Sequence, residues 1–496
     1  PLDYGNHYTI PLRIAQGRCT GRFYCVKTDN GSIPLVKKGK KQYNTILGSV
    51  SVNKARDLPS EESYALSRLR KVEAMPCTYI HCAAERHACR ESRGTLIQAK
   101  MPEDGQKLLA RYKGQVQTVY LDPPFNTGKQ FEMKARVGEK GYRTGSPSLS
   151  LPAYDDRWED RSHYLAMMRE TLLLSRELLK KEGTIFLHID SRMYAHLRLL
   201  MDEVFGESNF LNEIIWSYQT GGRARSYFPR KHDIILFYAR SKAYYFNLKA
   251  VPVARNESRS NHMRRAVDEN GRSYRSIMSG GREYRYYDVE PAYPGDVWDD
   301  ISHLQQKDPQ RTGYETQKPL KLLERIVSCS SQEDDLICDL FAGSGTSAVA
   351  AANLGRRFLC VDQSPLAIAT AGKRLSQSTA GLPLDYAFEV EAPCGEDDCR
   401  VEAEVFPAIT SYTVRLISFE SEKAQAAGLN GLDAIDQWSC GFVQGDVYRR
   451  CALSARSIAT PELAATLEMP VCAGEPCVML VDIWGNRRFY LPMRRY

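Results

Sequence analysis

Short apolar segments alternate with amphipathic segments over most of the chain, and this alternation limits the possible folds more than any other feature. The apolar segments with the composition of buried strands include TVYLD (118–122), TIFLHID (184–190), DLICDLF (335–341) and RRFLCVD (356–362). The stretches between them place apolar residues at helical spacing. Buried strands connected by helices predict an α/β fold with a doubly wound parallel sheet and helices on both faces. Ligands of such sheets bind at the carboxyl ends of the strands.

Local signals give the expected limits of several helices. The spacing of apolar residues predicts a helix from about Tyr164 to a C-cap at Gly183, and a second helix that Gly206 ends. Pro319 suits the first turn of a third helix, and Ser364 with the following proline suits the start of another. The segments NEIIWSY (212–218) and HDIILFY (232–238) are expected to be further strands.

A glycine-rich loop follows the predicted strand 335–341. This glycine loop, residues 339–346, reads Asp-Leu-Phe-Ala-Gly-Ser-Gly-Thr, and its glycines permit a tight turn and a close backbone approach to a ligand. The next predicted strand ends in Asp362, whose carboxylate can accept hydrogen bonds from both hydroxyls of a ribose. Together these features indicate an adenosine-type pocket, although the loop alone also fits a dinucleotide fingerprint or a purely structural turn.

A second loop of unusual composition follows the strand 118–122. This proline loop consists of Asp122, Pro123, Pro124 and Phe125. Two prolines fix the backbone and remove two donors, so Asp122 and a proline carbonyl can together accept two hydrogen bonds from an amino group. Phe125 offers a flat face for a ring. The loop therefore suits the exocyclic amine of a heteroaromatic base, and the alternative is a simple strand-terminating turn.

Charge is distributed unevenly along the chain, whose net charge is +7. Residues 1–94 carry 16 Lys and Arg against 8 Asp and Glu, residues 217–288 carry 15 against 6, and residues 377–496 carry 10 against 17. The stretch 217–288 also holds twelve Tyr or Phe residues. Basic side chains interleaved with aromatic ones suit a phosphate backbone with exposed bases, and a solvated surface with core aromatics is the alternative.

The proline loop followed by the glycine loop, in this order, resembles the catalytic and cofactor motifs of the beta-class amino DNA methyltransferases. LDPPFNTGKQF, GTIFLHID, FPRKHDIILFYARS and YETQKPLKLLERIV are especially similar to modification subunits of type III restriction systems and their stand-alone relatives. The similarity covers roughly residues 95–376. It implies a Rossmann-like methyltransferase fold that uses S-adenosylmethionine and methylates adenine N6 or cytosine N4.

The resemblance also implies a role for individual residues. The expected catalytic motif is Asp122, Pro123, Pro124 and Phe125, with Phe125 where Tyr is more usual. The residues expected to bind the cofactor are Asp339, Phe341, Gly343, Gly345, Thr346, Asp362, Gln317, Lys318 and Pro319. The residues expected to contact nucleic acid are Arg223, Arg225, Arg230 and Lys231.

The resemblance divides the chain into four parts. Residues 95–216 and 297–376 form the methyltransferase core, and 217–296 form an inserted target-recognition segment. Residues 1–94 are a basic region without an assigned fold. Residues 377–496 are expected to form a small, acidic, β-containing C-terminal domain.

The expected reaction is methyl transfer to the amino group of a flipped-out base in double-stranded DNA, with adenine N6 preferred because Asp is more usual for adenine enzymes. Cytosine N4 is an alternative target, and RNA is an alternative substrate. Two alternative functions also stay open: a nicotinamide-dependent dehydrogenase, and a nucleic-acid-binding protein with an inactive cofactor fold. A restriction subunit or a second copy is a possible partner. No stretch approaches the roughly 18 to 20 apolar residues of a membrane span, and a cytoplasmic location is expected.

Cysteine spacing raises two zinc hypotheses, although the expected chemistry needs no metal. Cys77, His81, Cys82, His87 and Cys89 form one cluster. The pairs Cys394–Cys399 and Cys472–Cys477 could form another. Tetrahedral zinc takes four such ligands, but spacing alone is a loose criterion. Reduced, buried thiols of a cytosolic protein are the alternative.

Overall fold

The computed structural model describes residues 77–88, 91–218, 224–254, 263–377, 387–396 and 398–495, together with four short strands nearer the N-terminus. Those strands are β1 (Arg13–Ile14), β2 (Gly17–Arg18), β3 (Phe23–Cys25) and β4 (Leu35–Lys37). Within these ranges, no helix is both long enough and apolar enough to cross a membrane.

A six-stranded parallel sheet forms the centre of the molecule. In spatial order its strands are β11 (Leu179–Ile189), β8 (Val116–Leu121), β18 (Leu336–Asp339), β19 (Arg357–Asp362), β7 (Gly94–Gln98) and β20 (Phe388–Glu391). Each neighbouring pair is parallel. All six residues of β8 are buried, which explains its continuous apolar composition. The predicted parallel, doubly wound sheet is confirmed for this central part.

Helices cover both faces of the sheet. One layer comprises α1 (Gly105–Tyr112), α3 (Arg161–Leu178) and α4 (Tyr194–Phe205). The other comprises α5 (Leu320–Ser330), α6 (Thr346–Asn353) and α7 (Pro365–Gln377). Residues of β8 alternate between the layers, since Tyr120 packs with the second and Val119 with the first. The result is a three-layer α/β/α core.

Of the two helix ends predicted at glycines, one needs correction and the other is confirmed. The helix α3 ends at Leu178 rather than at Gly183, because Gly183 lies inside β11 at an irregularity in its pairing with β8. A Cβ at Gly183 would meet the Gln117 carbonyl oxygen at 3.1 Å. The predicted C-cap at Gly206 is confirmed.

The sheet continues beyond β11 with antiparallel strands. β13 (His232–Ala239) pairs with both β11 and β12 (Phe210–Ser217) in antiparallel orientation, and β17 (Val297–Trp298) closes this edge. The sequence-based expectation of a purely parallel sheet is therefore wrong here. Strand composition identifies burial but carries no information on direction.

The segment between β13 and β17 contains a separate three-stranded antiparallel sheet. Its strands are β14 (Arg264–Val267), β15 (Ser273–Ser279) and β16 (Arg282–Tyr287). A hairpin of β9 (Gln130–Arg136) and β10 (Ser148–Asp155), with α2 (Gly138–Thr144) at its tip, follows the proline loop.

The opposite edge joins the central sheet to the C-terminal strands. Beyond β20 the order is β6 (Ala84–His87), β24 (Val447–Ala455), β23 (Ile435–Gln444), β26 (Glu475–Asp482), β27 (Arg487–Leu491) and β5 (Thr78–Ile80). A second sheet contains β25 (Thr466–Pro470), β22 (Ser411–Ser421), β21 (Cys399–Pro407) and β28 (Met493–Arg494), and the short helix α8 (Glu422–Ala426) follows β22. The two sheets share an apolar core around Trp438 and Phe442. The predicted domain limits stay predictions, but two strands from before residue 95 pair with C-terminal strands.

Candidate active site

The proline loop and the glycine loop meet at the carboxyl ends of two neighbouring strands. Asp122 directly follows β8, and the glycine loop begins with the last residue of β18. The two strands are parallel, and Asp339 is in register with Tyr120. Both loops line one cavity of about 800 Å³. The structure therefore brings together the two motifs that the sequence placed more than 200 residues apart.

Asp122 combines one paired and one unpaired carboxylate oxygen. Its Oδ2 accepts a hydrogen bond from Lys318 Nζ at 2.5 Å, in an ion pair that is largely removed from solvent. Its Oδ1 is buried and has no hydrogen-bond partner among the described residues. A buried acceptor without a donor is costly, so the cavity is suited to a ligand that donates a hydrogen bond at this point.

The Phe125 ring is close to both a histidine ring and the Lys318 ammonium group. The ring of His188 is stacked beside it with a centroid distance of 6.0 Å, and Lys318 Nζ lies 5.3 Å from the Phe125 centroid. Lys318 thus contacts both chemically important residues of the proline loop. Its expected contact with the cofactor stays a prediction.

Backbone N–H groups and buried carboxylates hold the glycine loop in place. The N–H group of Gly343 donates to Asp362 Oδ2 at 2.8 Å, and that of Ser364 donates to Asp362 Oδ1 at 2.9 Å. Asp339 Oδ1 accepts from the Phe341 N–H group, and Asp339 Oδ2 accepts from the Ser347 hydroxyl. Burial raises the pKa of Asp339 to about 7 and also raises that of Asp362.

The other residues expected to bind the cofactor separate into two groups. Phe341, Gly343, Thr346, Gln317 and Lys318 line the cavity with Asp339 and Asp362. Gly345 and Pro319 are not among the lining residues, since Gly345 packs against α7 and Pro319 is the N-cap of α5.

Gln317 has hydrogen bonds that stabilise its own loop. Its Oε1 accepts from both the N–H group and the hydroxyl of Thr312, and its Nε2 donates to the Gln310 carbonyl oxygen. The side chain is buried. These hydrogen bonds explain why glutamine occupies this position, and the explanation does not require a contact with a ligand.

The structure describes three of the four residues expected to contact nucleic acid. Arg225 and Arg230 are exposed, and the Arg230 guanidinium lies 5.7 Å from the ring centroid of Tyr227. Lys231 is half-buried directly before β13. Arg223 lies outside the described residues.

Sequence reasoning missed a hydrogen-bonded group under the proline loop. The Tyr120 hydroxyl lies 3.0 Å from His188 Nδ1, and His188 Nε2 lies 3.2 Å from Asp233 Oδ2. His188 is fully buried. In the sequence, His188 lies near the carboxyl end of one apolar strand and Asp233 near the start of another. Polar residues at such positions are common at ordinary strand ends, so this signal is difficult to recognise.

A second missed residue is Asp156, which is fully buried and accepts hydrogen bonds from the chain that follows Pro124. It lies 31 residues after Phe125 in the sequence. No local pattern connects the two positions.

Neither zinc hypothesis gains support from the described side chains. Among them, no three His, Cys, Asp or Glu residues lie close enough together to hold a metal ion. Cys394 Sγ instead donates to the Cys82 carbonyl oxygen, and Cys77 Sγ donates to that of Ala403. Cys89 lies outside the described residues.

Comparison with known proteins finds a family match over the part of the chain that contains both loops. A family model described as DNA methylase (N6_N4_Mtase) matches residues 116–373, slightly more than half of the chain. The matched region contains the proline loop, the glycine loop and the segment between them.

Several curated proteins are similar to about half of the chain. The chain is 26% identical over 310 residues to the type II methyltransferase M.EcaI of Enterobacter cloacae, which covers 53% of this chain and 65% of that protein. It is 24% identical to the StyLTI Mod subunit of a type III restriction-modification enzyme of Salmonella typhimurium. This match covers 54% of this chain and 52% of that protein. It is 25% identical to the DNA adenine methyltransferase YhdJ of Escherichia coli, covering 50% and 71%. The chain thus spans just under two thirds of the first protein and about half of the second.

Solved structures give more distant similarities. The M1.HpyAVI–SAM complex is 17% identical with a TM-score of 0.35, covering 57% of this chain and 98% of that one. The cytosine-N4-specific PvuII DNA methyltransferase is 14% identical with a TM-score of 0.37, covering 58% and 90%.

Proposed function

The chain belongs to the DNA methylase family N6_N4_Mtase, and we propose that it transfers a methyl group from S-adenosylmethionine to the exocyclic amino group of a base in DNA. The observation that carries the proposal is that Asp122, whose Oδ1 has no hydrogen-bond partner among the described residues, lines the same cavity as the glycine loop. An amino donor and a cofactor could therefore meet at one place.

The residues at the glycine loop fit the adenosine part of this cofactor. Gly343 has a φ of +50°, so the chain turns sharply beside the cavity and keeps its backbone close to the ligand space. Asp362 lines the cavity at the end of β19, and each of its oxygens retains a lone pair beyond the backbone hydrogen bond it accepts. Asp362 would hold the ribose hydroxyls, and Phe341 would contact the adenine ring.

The proline loop would bind and orient the amine. Bound S-adenosylmethionine supplies an electrophilic methyl group. Asp122 Oδ1 would accept a hydrogen bond from the amino group and the Pro123 carbonyl a second, so that the nitrogen lone pair points towards the cofactor side of the cavity. Phe125 would contact the ring of the base. Positioning and fixed electrostatics supply most of the expected rate enhancement.

Adenine N6 is the preferred target. An aspartate at the first position of the proline loop favours adenine. In addition, a relative whose match covers half of this chain carries the name DNA adenine methyltransferase. Cytosine N4 is the alternative because the family description covers both reactions.

Double-stranded DNA is the proposed partner, and the base would have to leave the helix to reach the cavity. Arg225 and Arg230 are exposed on the segment between β12 and β13 and could contact the phosphate backbone. A restriction subunit is a further proposed partner, since one relative is a type III Mod subunit. A cytoplasmic location, together with the DNA, is part of this proposal.

The test is a methyl-transfer assay with radiolabelled S-adenosylmethionine and unmethylated genomic DNA. The wild-type protein should label the DNA, and digestion to nucleosides should yield N6-methyladenine. Asp122→Ala should reduce transfer at least 100-fold, because the amino group loses its carboxylate acceptor, while cofactor affinity measured by calorimetry stays within about threefold. Unchanged transfer by the variant would disprove the role of Asp122.

A further inference from the structure

Asp156 receives an unusual number of hydrogen bonds from a single short segment. Its Oδ1 accepts from the Asn126 N–H group at 2.9 Å, and its Oδ2 accepts from the Thr127 N–H group at 2.9 Å and the Thr127 hydroxyl at 2.7 Å. The Phe125 N–H group also donates to Oδ2, at 3.2 Å. Both oxygens thus accept hydrogen bonds from the three residues that follow Pro124.

From these contacts we propose that Asp156 is a positioning residue that fixes the proline loop in its active geometry. The inference rests on the function proposed above. Asp156 is among the residues around the cavity, but it is assigned no contact with the substrate or the cofactor, because its side chain is 0% exposed and both of its oxygens already accept hydrogen bonds within the protein.

The backbone geometry explains why a carboxylate is needed. Three consecutive N–H groups can converge on one anion only when the chain curls around it, and Asn126 has a φ of +54°, in the left-handed region. This conformation is unfavourable for a residue other than glycine, so it needs compensation from surrounding contacts. An amide in place of the carboxylate would turn an NH₂ group towards N–H donors and lose half of the acceptors.

The surroundings keep Asp156 itself fixed. The side chain is 0% exposed, and Trp158 Nε1 donates to Oδ1 at 3.2 Å. Its backbone N–H group donates to the Lys129 carbonyl oxygen, and its carbonyl oxygen accepts from the Gly128 N–H group. Asp156 therefore joins the proline loop to the start of the β9–β10 hairpin.

By holding the Phe125 N–H group, Asp156 would fix the position of Phe125 and also that of Asp122, which lies earlier in the same loop. The two prolines have no N–H group to anchor the loop, so the Phe125 N–H group is the first donor after Asp122. A loop that shifts by about 1 Å can lose about 100-fold in rate, because the amine would no longer be aligned. Cofactor binding depends on the glycine loop, to which Asp156 has no hydrogen bond in the described part of the chain, and should be preserved.

The experiment compares Asp156→Asn with the wild-type protein and with Glu159→Gln. Glu159 is an exposed carboxylate three residues away, outside the cavity, and its change to an amide is a matched control. Single-turnover methyl transfer to unmethylated genomic DNA is measured at saturating DNA and cofactor. Cofactor affinity is measured by calorimetry, and the active fraction by the burst amplitude.

We expect Asp156→Asn to slow the single-turnover step about 100-fold, with unchanged burst amplitude and cofactor affinity within about twofold, and Glu159→Gln to resemble the wild type. A merely structural role would reduce the active fraction instead of the rate. A rate within threefold of the wild type, or a loss confined to the burst amplitude, overturns the inference.

Thr127→Val decides the question if Asp156→Asn fails to fold. This change keeps Asp156 and removes one hydrogen bond, so it should slow transfer about tenfold without lowering the melting temperature by more than a few degrees. An unchanged rate overturns the inference. A wild-type protein that binds the cofactor but methylates no DNA overturns the proposed function instead, so the two failures are distinguishable.

Discussion

Asp339 places a carboxyl group with a pKa near neutrality at the end of β18. Burial is the main cause of the rise to about 7, and the nearby Asp122 and Asp362 carboxylates add to it. The hydrogen bonds from the Phe341 N–H group and the Ser347 hydroxyl oppose the rise only in part. The residue that starts the glycine loop therefore changes its charge within the physiological pH range.

The stability of the protein should consequently depend on pH through Asp339. An unfolded aspartate titrates near pH 4. Between about pH 4 and 7 the folded state binds more protons at this residue than the unfolded chain, so the free energy of unfolding falls as the pH rises through this window. Asp339→Asn should remove much of this fall, because an amide does not titrate and can still accept from Phe341 and donate to Ser347.

Urea denaturation at pH 5, 6, 7 and 8 checks this expectation. The matched control is Asp104→Asn, at a half-buried aspartate whose pKa is lowered mainly by its hydrogen bond with Lys107. That residue titrates below the window, so its variant should keep the wild-type pH dependence. An equal pH dependence for Asp339→Asn and the wild type would contradict the role of Asp339.

At the level of elements, the glycine loop depends on two glycines for different reasons. Both have positive φ, +50° for Gly343 and +75° for Gly345. A Cβ at Gly345 would lie 2.5 Å from Ala371 Cβ and 3.0 Å from Ala371 Cα, in α7. A Cβ at Gly343 would find the Tyr314 ring as its nearest neighbour at 3.6 Å, an ordinary contact. The second glycine therefore sets the distance between α6 and α7.

Alanine at these two positions should have unequal effects on stability. Gly343→Ala should cost about 1 kcal/mol of unfolding free energy, from backbone strain alone. Gly345→Ala should cost about 2 to 4 kcal/mol, because the clash with α7 adds to that strain. Urea denaturation of both variants at one pH measures the difference, and an equal or larger loss for Gly343→Ala would show that the close approach to α7 is unimportant.

The same elements show how far sequence reasoning extends. Buried strands were identifiable because their apolar runs are continuous, and both loops were placed at strand ends because local composition marks those ends. The antiparallel direction of β12 and β13 was not predictable, since apolar composition is the same in either direction. The pairing of Lys318 with Asp122 and the contacts of Asp156 with the chain after Pro124 escaped, because the partners are distant in sequence. Local sequence patterns identify the proline loop and the glycine loop. The residues that hold the proline loop in place are identified only by tertiary contacts.

Over the whole molecule, the methyltransferase core and the C-terminal strands form one continuous unit. The strand β6 pairs with β20 of the core on one side and with β24 on the other. Its residue Glu85 is buried and ion-paired with Arg450 and Arg487 from the C-terminal strands. Charges buried in this way need their partners, so the C-terminal part stabilises the edge of the central sheet.

A second ion pair joins the C-terminal part to the elements around the cavity. Lys373 Nζ, on α7, donates to both oxygens of Asp436 at 2.6 and 2.8 Å and to the Tyr142 hydroxyl at 2.6 Å. Asp436 lies on β23 and Tyr142 on α2, at the tip of the hairpin that follows the proline loop. One ammonium group thus connects the core, the hairpin and the C-terminal sheet, although burial lowers its pKa.

Lys373→Met should therefore destabilise the whole molecule as one body. The change leaves Asp436 largely buried without its cation, and loss of one partner of such a pair costs about 3 kcal/mol or more. Lys107→Met, which breaks the exposed pair with Asp104, should cost less than about 1 kcal/mol. Differential scanning calorimetry should give a single transition for all three proteins, shifted to lower temperature mainly in Lys373→Met. Two resolved transitions, of which the variant shifts only one, would mean that the core and the C-terminal part unfold independently despite their shared sheet.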